Sequence, residues 1–168
     1  MEKHIYLVGF MGSGKSTLGP VLAREMKRPF HDLDSLIETQ QNQTITAIFD
    51  SEGEPFFREL ESDSLVQSQY LEPCVMALGG GAFVSEFNRN LICEHGISVW
   101  LKIPLQLARN RCVDSQDRPL ARDLEQWDSL FQGRQTHYSL ADIHIEVERK
   151  SPQQIVAEIQ ERLEEMVL

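Results

Sequence analysis

The chain has 168 residues, a length that favours a single domain whose core needs no disulfide or metal to hold it. Its 41% apolar and 25% charged content is typical of a soluble globular protein, and three scattered cysteines fit a reducing, cytoplasmic setting. A formal charge of -10 argues against nucleic-acid or anionic-membrane partners, because both need a basic face. Without a basic leader or a long apolar segment, neither secretion nor membrane anchoring is expected.

Residues 9–16 read Gly-Phe-Met-Gly-Ser-Gly-Lys-Ser and match the phosphate-binding pattern Gly-x-x-x-x-Gly-Lys-[Ser/Thr]. The apolar run Ile5–Val8 precedes them and a helix-like stretch, Ser16–Lys27, follows. The glycines let backbone N–H groups turn inward on a polyphosphate, and the helix adds its positive dipole end. We expect Lys15 to reach the β/γ-phosphates and Ser16 to ligate Mg²⁺. The predicted ATP-binding residues here are Gly12, Ser13, Gly14, Lys15, Ser16 and Thr17.

Two carboxylates, Asp32 and Asp34, come at the end of the next apolar run, Phe30–Leu33. At the carboxyl end of a parallel strand, one could hold Mg²⁺ or its water shell and the other could orient a substrate hydroxyl. Either could instead cap the following helix. Because Ser35 and Glu38 form a capping-box pattern of their own, we favour a functional role for both aspartates.

A second capping-box pattern, Ser51-x-x-Glu54, is predicted to open the amphipathic stretch that carries Arg58. Taken alone, Arg58 could be no more than an i,i+3 helix partner of Glu61.

Three consecutive glycines, Gly79, Gly80 and Gly81, follow the third apolar run, Cys74–Leu78. Three glycines are costly in backbone entropy, and a simple turn rarely needs them all. They would let a small ligand lie directly against main-chain amides. The position therefore favours a binding wall over a flexible turn.

The fourth apolar run is Ile97–Leu101, and Ser85 is predicted to cap the preceding helix, Glu86–His95, which Gly96 would end. The polar stretch 114–123, with Arg118 and Arg122, then breaks the periodicity. It could be a surface loop, but its length favours a lid over bound nucleotide.

The last elements are the run Ile143–Val147 and a helix opened by Ser151 and Pro152. The apolar side of that helix is predicted to consist of Ile155, Ile159, Leu163 and Met166. Five strands alternating with helices indicate βαβ units, hence an α/β fold with a parallel sheet covered on both faces.

Together these motifs make the chain resemble the shikimate kinases, which phosphorylate shikimate with ATP on the route to aromatic amino acids. The resemblance runs from Ile5 to the last helix. It rests on the ordered set of motifs: residues 9–16, Asp32-x-Asp34, Phe57-Arg58-x-x-Glu61, the glycines 79–81, Arg118-Pro119-Leu120 and Arg134-x-x-x-Tyr138.

The resemblance implies one P-loop domain, 1–168, of three α/β/α layers with five parallel strands in the order 2-3-1-4-5. Its core would be 1–33, 73–113 and 140–168, its substrate-binding region 34–62, and its lid 114–124. It implies transfer of the γ-phosphoryl group of ATP to the 3-hydroxyl of shikimate, with Mg²⁺, by a cytoplasmic protein that is a monomer or at most a weak dimer.

The resemblance also implies roles for individual residues. Lys15 and Arg118 would neutralise the transferring phosphoryl group, while Ser16 would ligate Mg²⁺ and Asp32 would support it through water. Asp34 would contact the accepting hydroxyl and act as the base. Arg58 and Arg134 would clamp the shikimate carboxylate. The same pocket would be lined by Gly79, Gly80 and Gly81. Adenine would be flanked by Arg111 and Pro152.

Some positions depart from the family pattern. Leu78 replaces a small hydroxyl residue, Ala121 replaces a leucine, and Arg109 lies close enough to Arg111 to compete for the adenine assignment. Gluconate kinase is the nearest alternative, but it should lack the glycine triplet and the paired arginines. Ser16 disfavours an adenylate kinase, and the missing Asn-Lys-x-Asp motif disfavours a GTPase. A non-catalytic nucleotide- or shikimate-binding regulator would be expected to have lost Lys15, Asp34 or a clamp arginine.

Overall fold

A computed structural model of the chain describes residues 2–113 and 124–167, and these contain one five-stranded parallel sheet. The strand order β2-β3-β1-β4-β5 confirms the predicted topology. The pairing is parallel throughout, for example Ile5 with Val75 and with Ile97. The strands are β1 (His4–Val8), β2 (Phe30–Asp32), β3 (Val75–Ala77), β4 (Gly96–Lys102) and β5 (Ile143–Glu146).

The helices of the described residues lie on both sides of this sheet. Helix α1 packs against α8 and β3, whereas α4 packs against α2, α3 and α5. A short 3-10 turn, Ala82–Val84, joins the glycine triplet to α5. The helices are α1 (Lys15–Glu25), α2 (Leu33–Gln41), α3 (Ile45–Glu52), α4 (Glu54–Ser68), α5 (Glu86–His95), α6 (Leu105–Val113), α7 (Leu124–Tyr138) and α8 (Pro152–Val167).

The central strands are buried on both faces, which explains their continuous apolar sequence. Every residue of β1 and of β3 is buried. Among the described helices, none combines the length and apolar character that a bilayer crossing requires.

Helix capping differs from the prediction at two places. Asp32, not Ser35, caps α2, because its carboxylate accepts the Ser35 N–H at 3.1 Å. Glu38 instead accepts the Ile45 N–H at 2.9 Å, which ties the end of α2 to the start of α3. Asp32 therefore has the capping role that was considered as its alternative, and its proposed role in the site can coexist with it in one side chain.

The prediction of a second capping box, at Ser51 and Glu54, is also wrong. Ser51 lies inside α3, which Thr44 caps through the Ala47 N–H at 3.1 Å. Gly53, with a left-handed φ of 84°, separates α3 from α4. The Ser-x-x-Glu spacing of the sequence thus spans a break between two helices.

The later helix boundaries follow the prediction. Ser85 caps α5 through the Asn88 N–H, and α5 ends at Gly96. Ser151 and Gln154 form a reciprocal capping box, with N–H to oxygen distances of 2.8 and 3.2 Å. On α8, however, Met166 is half exposed and does not continue the buried stripe. The proposed lid, 114–124, lies outside the described residues except for Leu124, the first residue of α7, and so do Arg118 and Ala121.

Candidate active site

The phosphate-binding loop between β1 and α1 has the backbone that the motif predicts. Gly12 and Gly14 have φ angles of 82° and 99°, a left-handed conformation that other residues adopt only under strain. Gly14 is the N-cap residue of α1, and no side chain caps that terminus. The positive end of α1 is therefore available to an anion.

The Lys15 ammonium group folds back along this loop. Its Nζ donates hydrogen bonds to the carbonyl oxygens of Gly9 at 2.5 Å and Phe10 at 3.3 Å. The positive charge thus lies within the curve of the loop, beside the position where backbone N–H groups converge.

Two oxygen ligands suited to Mg²⁺ adjoin the first turn of α1. The Ser16 hydroxyl donates to Asp32 Oδ2 at 3.3 Å. A hydroxyl and a carboxylate fit the preference of Mg²⁺ for few protein oxygens alongside phosphate oxygens and water. Within residues 2–113 and 124–167, no group of three His, Cys, Asp or Glu side chains could hold a metal by itself. A metal here would depend on the nucleotide for most of its ligands.

Asp34 lies in the first turn of α2, and its side chain is partly buried in the site. Its Oδ1 is inaccessible and has no hydrogen-bond partner among the described residues. Burial, reinforced by the charge of Asp32, raises the pKa of Asp34 to about 6, although Lys15 and Arg58 oppose the shift. A carboxylate with a pKa near working pH is suited to accept a proton.

The glycine triplet forms a wall that backs directly onto charged side chains. A Cβ atom at Gly79 would lie 2.8 Å from Asp34 Oδ1, and one at Gly80 would lie 2.9 Å from Arg134 Nη1. At Gly81, it would lie 2.5 Å from the Arg58 guanidinium. Any side chain here would displace one of these charged groups. This explains why three glycines stand in a row in spite of their backbone-entropy cost.

Arg58 and Arg134 therefore meet at the same wall although 76 residues of chain separate them in sequence numbering. Arg58 extends from α4 and pairs with Glu54 at 3.2 Å and with Glu61 at 2.9 Å. The simple i,i+3 helix pair considered from the sequence does exist. It also orients the guanidinium towards the glycines. Arg134 extends from α7, is only 9% exposed, and has its Cζ 5.7 Å from the Phe10 ring centroid.

Glu61 is a further buried carboxylate at this wall. It is 1% exposed, and burial raises its pKa to about 7 in spite of the neighbouring Arg58. The charge of Asp34 adds to that shift.

At the other end of the loop, the structure separates the two candidate adenine-side arginines. Arg109 turns away and forms a bidentate ion pair with Asp128 of α7. Arg111 lines the cavity, and its Nη1 donates to the Gly12 carbonyl oxygen at 2.9 Å. Pro152 lines the same end, with Val147 and Lys150 of the turn before α8.

One cavity of about 1460 Å³ connects these groups. That exceeds the roughly 300–1,000 Å³ of an ordinary ligand pocket, so it can hold two ligands side by side. The predicted residues that line it are Gly12, Ser13, Gly14, Lys15, Ser16, Thr17, Asp32, Asp34, Arg58, Gly79, Gly80, Gly81, Arg111, Arg134 and Pro152.

The cavity carries charges of both signs. Among the described lining residues, five cationic side chains face six carboxylates. The cations are segregated, with Lys15 and Arg111 at the loop and Arg58 and Arg134 at the glycine wall. Placement, and not net charge, supplies the attraction for an anion.

The sequence motifs contain Glu61 and Tyr138, but neither residue was predicted to have a functional role. Glu61 follows Arg58 by three residues and Tyr138 follows Arg134 by four, so each shares a helix face with its arginine. That spacing was the available signal. The Tyr138 hydroxyl donates to the Gly80 carbonyl oxygen at 2.5 Å.

Comparison with known proteins agrees with this geometry. The family model described as shikimate kinase matches residues 11–164. A shikimate kinase of Sulfurihydrogenibium sp. (strain YO3AOP1) is 43% identical over 158 residues, which cover 94% of this chain and 95% of that protein.

Solved structures agree as well. Shikimate kinase from Acinetobacter baumannii in complex with shikimate is 32% identical, covers 100% of this chain and 96% of that one, and superposes with a TM-score of 0.93. The shikimate kinase structure from Aquifex aeolicus is 39% identical with a TM-score of 0.89, and 98% of each chain is covered. On the family match, the identities and the coverage, this chain belongs to the shikimate kinase family.

Proposed function

We propose that this protein is an ATP-dependent kinase that transfers the γ-phosphoryl group of ATP to the 3-hydroxyl of shikimate, giving shikimate 3-phosphate and ADP. The observation that carries the proposal is the single cavity in which a phosphate-binding loop faces a glycine wall backed by two arginines. The first half of the cavity suits a triphosphate. The second half suits a hydroxylated carboxylic acid, because a guanidinium fork matches a carboxylate in geometry and charge.

Nucleotide binding is assigned to residues 12–17, Arg111 and Pro152. The phosphates would lie on the N-terminus of α1, and the Lys15 ammonium would exchange its bonds to the loop carbonyls for bonds to phosphate oxygens. Arg111, tied to the loop through the Gly12 carbonyl, and Pro152 would enclose adenine. Arg118, proposed to stabilise the transferring phosphoryl group, lies outside the described residues.

Ser16 and Asp32 would hold Mg²⁺, whose role in such a reaction is to neutralise charge on the phosphates. The α2 cap keeps Asp32 in place, since its second oxygen accepts the Ser35 N–H.

Acceptor binding is assigned to Arg58, Arg134 and the glycines 79–81. The two arginines would grip the carboxylate and so hold the ring with one hydroxyl near Asp34. That hydroxyl would give its proton to Asp34 as its oxygen forms the new bond to the γ-phosphorus. The bond between that phosphorus and the bridging oxygen breaks, and ADP leaves. Positioning and charge stabilisation supply most of the catalysis in such a transfer.

A coupled ADP-release assay tests the proposal. With ATP and Mg²⁺, we expect turnover with shikimate and none above background with gluconate. Turnover with gluconate alone would refute the substrate assignment, and tight nucleotide binding without turnover of either compound would refute the catalytic assignment. Omission of Mg²⁺ tests the cofactor in the same experiment.

A further inference from the structure

The carbonyl groups of the glycine wall are held by different kinds of partner. The Gly79 oxygen accepts the Ala82 N–H at 3.1 Å and the Gly81 oxygen accepts the Val84 N–H at 3.2 Å, both within the 3-10 turn. The middle carbonyl, that of Gly80, accepts the side-chain hydroxyl of Tyr138. The peptide at the centre of the wall is therefore fixed from another part of the chain.

Tyr138 is well suited to that task. It is the last residue of α7, is fully buried, and packs its ring 6.0 Å from that of Trp100 in β4. Burial raises the pKa of Tyr138 to about 12, with the Arg134 guanidinium opposing the shift, so the phenol keeps its proton at neutral pH. A protonated phenol can donate to a carbonyl, as the Tyr138 hydroxyl does to Gly80.

Tyr138 also connects the wall to one of the two arginines. Arg134 lies one helical turn before it on α7, so both side chains leave the helix on the same side. Both reach Gly80: a methyl group placed there would be 2.9 Å from Arg134 Nη1 and 3.5 Å from Tyr138 Oη. A glycine backbone has much conformational freedom, and without the hydroxyl the Gly80 peptide could rotate relative to the guanidinium.

We propose that the Tyr138 hydroxyl is a positioning group for acceptor binding, which locks the Gly80 peptide and the Arg134 fork into one rigid receptor for the substrate carboxylate. The inference rests on the proposed function and adds a residue to it. Tyr138 acts through Gly80 and Arg134 and does not contact the reacting atoms.

The test is Tyr138→Phe, which removes one oxygen and keeps the ring contacts. One hydrogen bond is a small part of the folding free energy of a domain of this size, so the variant folds. We expect its KM for shikimate, and the Kd from direct titration, to rise about tenfold, because binding would then have to order the Gly80 peptide, and fixing one backbone residue costs an amount of this order. We expect kcat and the KM for ATP to stay within about twofold of the wild type, because binding is lost equally in ground and transition states.

Tyr6→Phe is the matched control. Tyr6 is 1% exposed, its hydroxyl lies beside Ser68, and burial raises its pKa to about 12 as well, but its ring packs against Gly96 and not against the glycine wall. We expect a similar fall in Tm and an unchanged KM for shikimate. A Tyr138→Phe protein with a lower Tm but a wild-type KM and Kd for shikimate would overturn the proposal, as would a fall in kcat at constant KM. Failure of the proposed function itself would appear separately, as a wild-type protein that neither turns over nor binds shikimate.

Discussion

Replacement of Asp34 by asparagine should make the protein more stable and much less active. The variant keeps the shape of the side chain and removes its negative charge. In the folded protein, burial and Asp32 raise the pKa of Asp34 from 3.8 to about 6, so the ionised carboxylate lowers the free energy of unfolding. A shift of about two units corresponds to about 3 kcal/mol, and since the side chain is partly accessible we expect about 1–3 kcal/mol.

The sign follows from proton linkage. Because the folded-state pKa lies above the unfolded value, the native protein binds the proton more tightly, and its stability falls as pH rises from about 4 to about 6. Above that range the loss is complete. Asp34→Asn should therefore match the wild type most closely near pH 4 and exceed it by about 1–3 kcal/mol at pH 7. The Asp34 charge also helps to raise the Glu61 pKa, so its removal makes ionised Glu61 less costly and adds to the stability gain of the variant.

Urea unfolding of both proteins at pH 4 and pH 7 measures this difference. Asp63→Asn, a change at an exposed carboxylate of α4, is the control and should alter the unfolding free energy by less than about 0.5 kcal/mol at either pH. An Asp34→Asn stability gain that is the same at both pH values would refute the ionisation argument. In the kinase assay, kcat should fall by about 10²–10⁴-fold while the KM for shikimate changes little. If kcat and the affinity for shikimate fell by the same factor, Asp34 would have a positioning role alone.

Three further changes have expected outcomes. Gly133→Ala, in the middle of α7 where an added Cβ meets nothing within 4 Å, should raise the unfolding free energy by about 0.5–1 kcal/mol without a change in kcat; a lower stability would contradict this. Gly19→Ala should lower it by about 1–3 kcal/mol in thermal unfolding, because its Cβ would overlap the Phe30 ring, and a neutral effect would show that the ring can move aside. Arg58→Ala should raise the KM for shikimate at an unchanged ATP affinity, measured by titration, and should cost about 1–3 kcal/mol of stability by leaving the buried Glu61 unpaired; a loss of nucleotide binding would mean that Arg58 serves the other half of the cavity.

The five strands and the phosphate loop could be predicted because they depend on local sequence, whereas the order of the strands came only from the resemblance to the shikimate kinases. Each central strand is buried on both faces and reads as an uninterrupted apolar run, and the loop between β1 and α1 needs left-handed backbone at fixed positions that glycine supplies. Helix caps were less predictable. The Ser51-x-x-Glu54 pattern matches a capping box but does not cap a helix. In the packed protein the helix is interrupted at Gly53, and Thr44 caps the start of α3.

The sequence by itself thus determined the phosphate loop, the five strands and which polar residues were candidates for the chemistry. Only the tertiary structure decided how those residues meet. It placed Arg58 and Arg134, from helices far apart in the chain, against the same three glycines, and it turned Arg109 to Asp128 while leaving Arg111 at the cavity. It also raised the pKa values of Asp34 and Glu61, because burial is a property of the packed molecule and no local pattern encodes it.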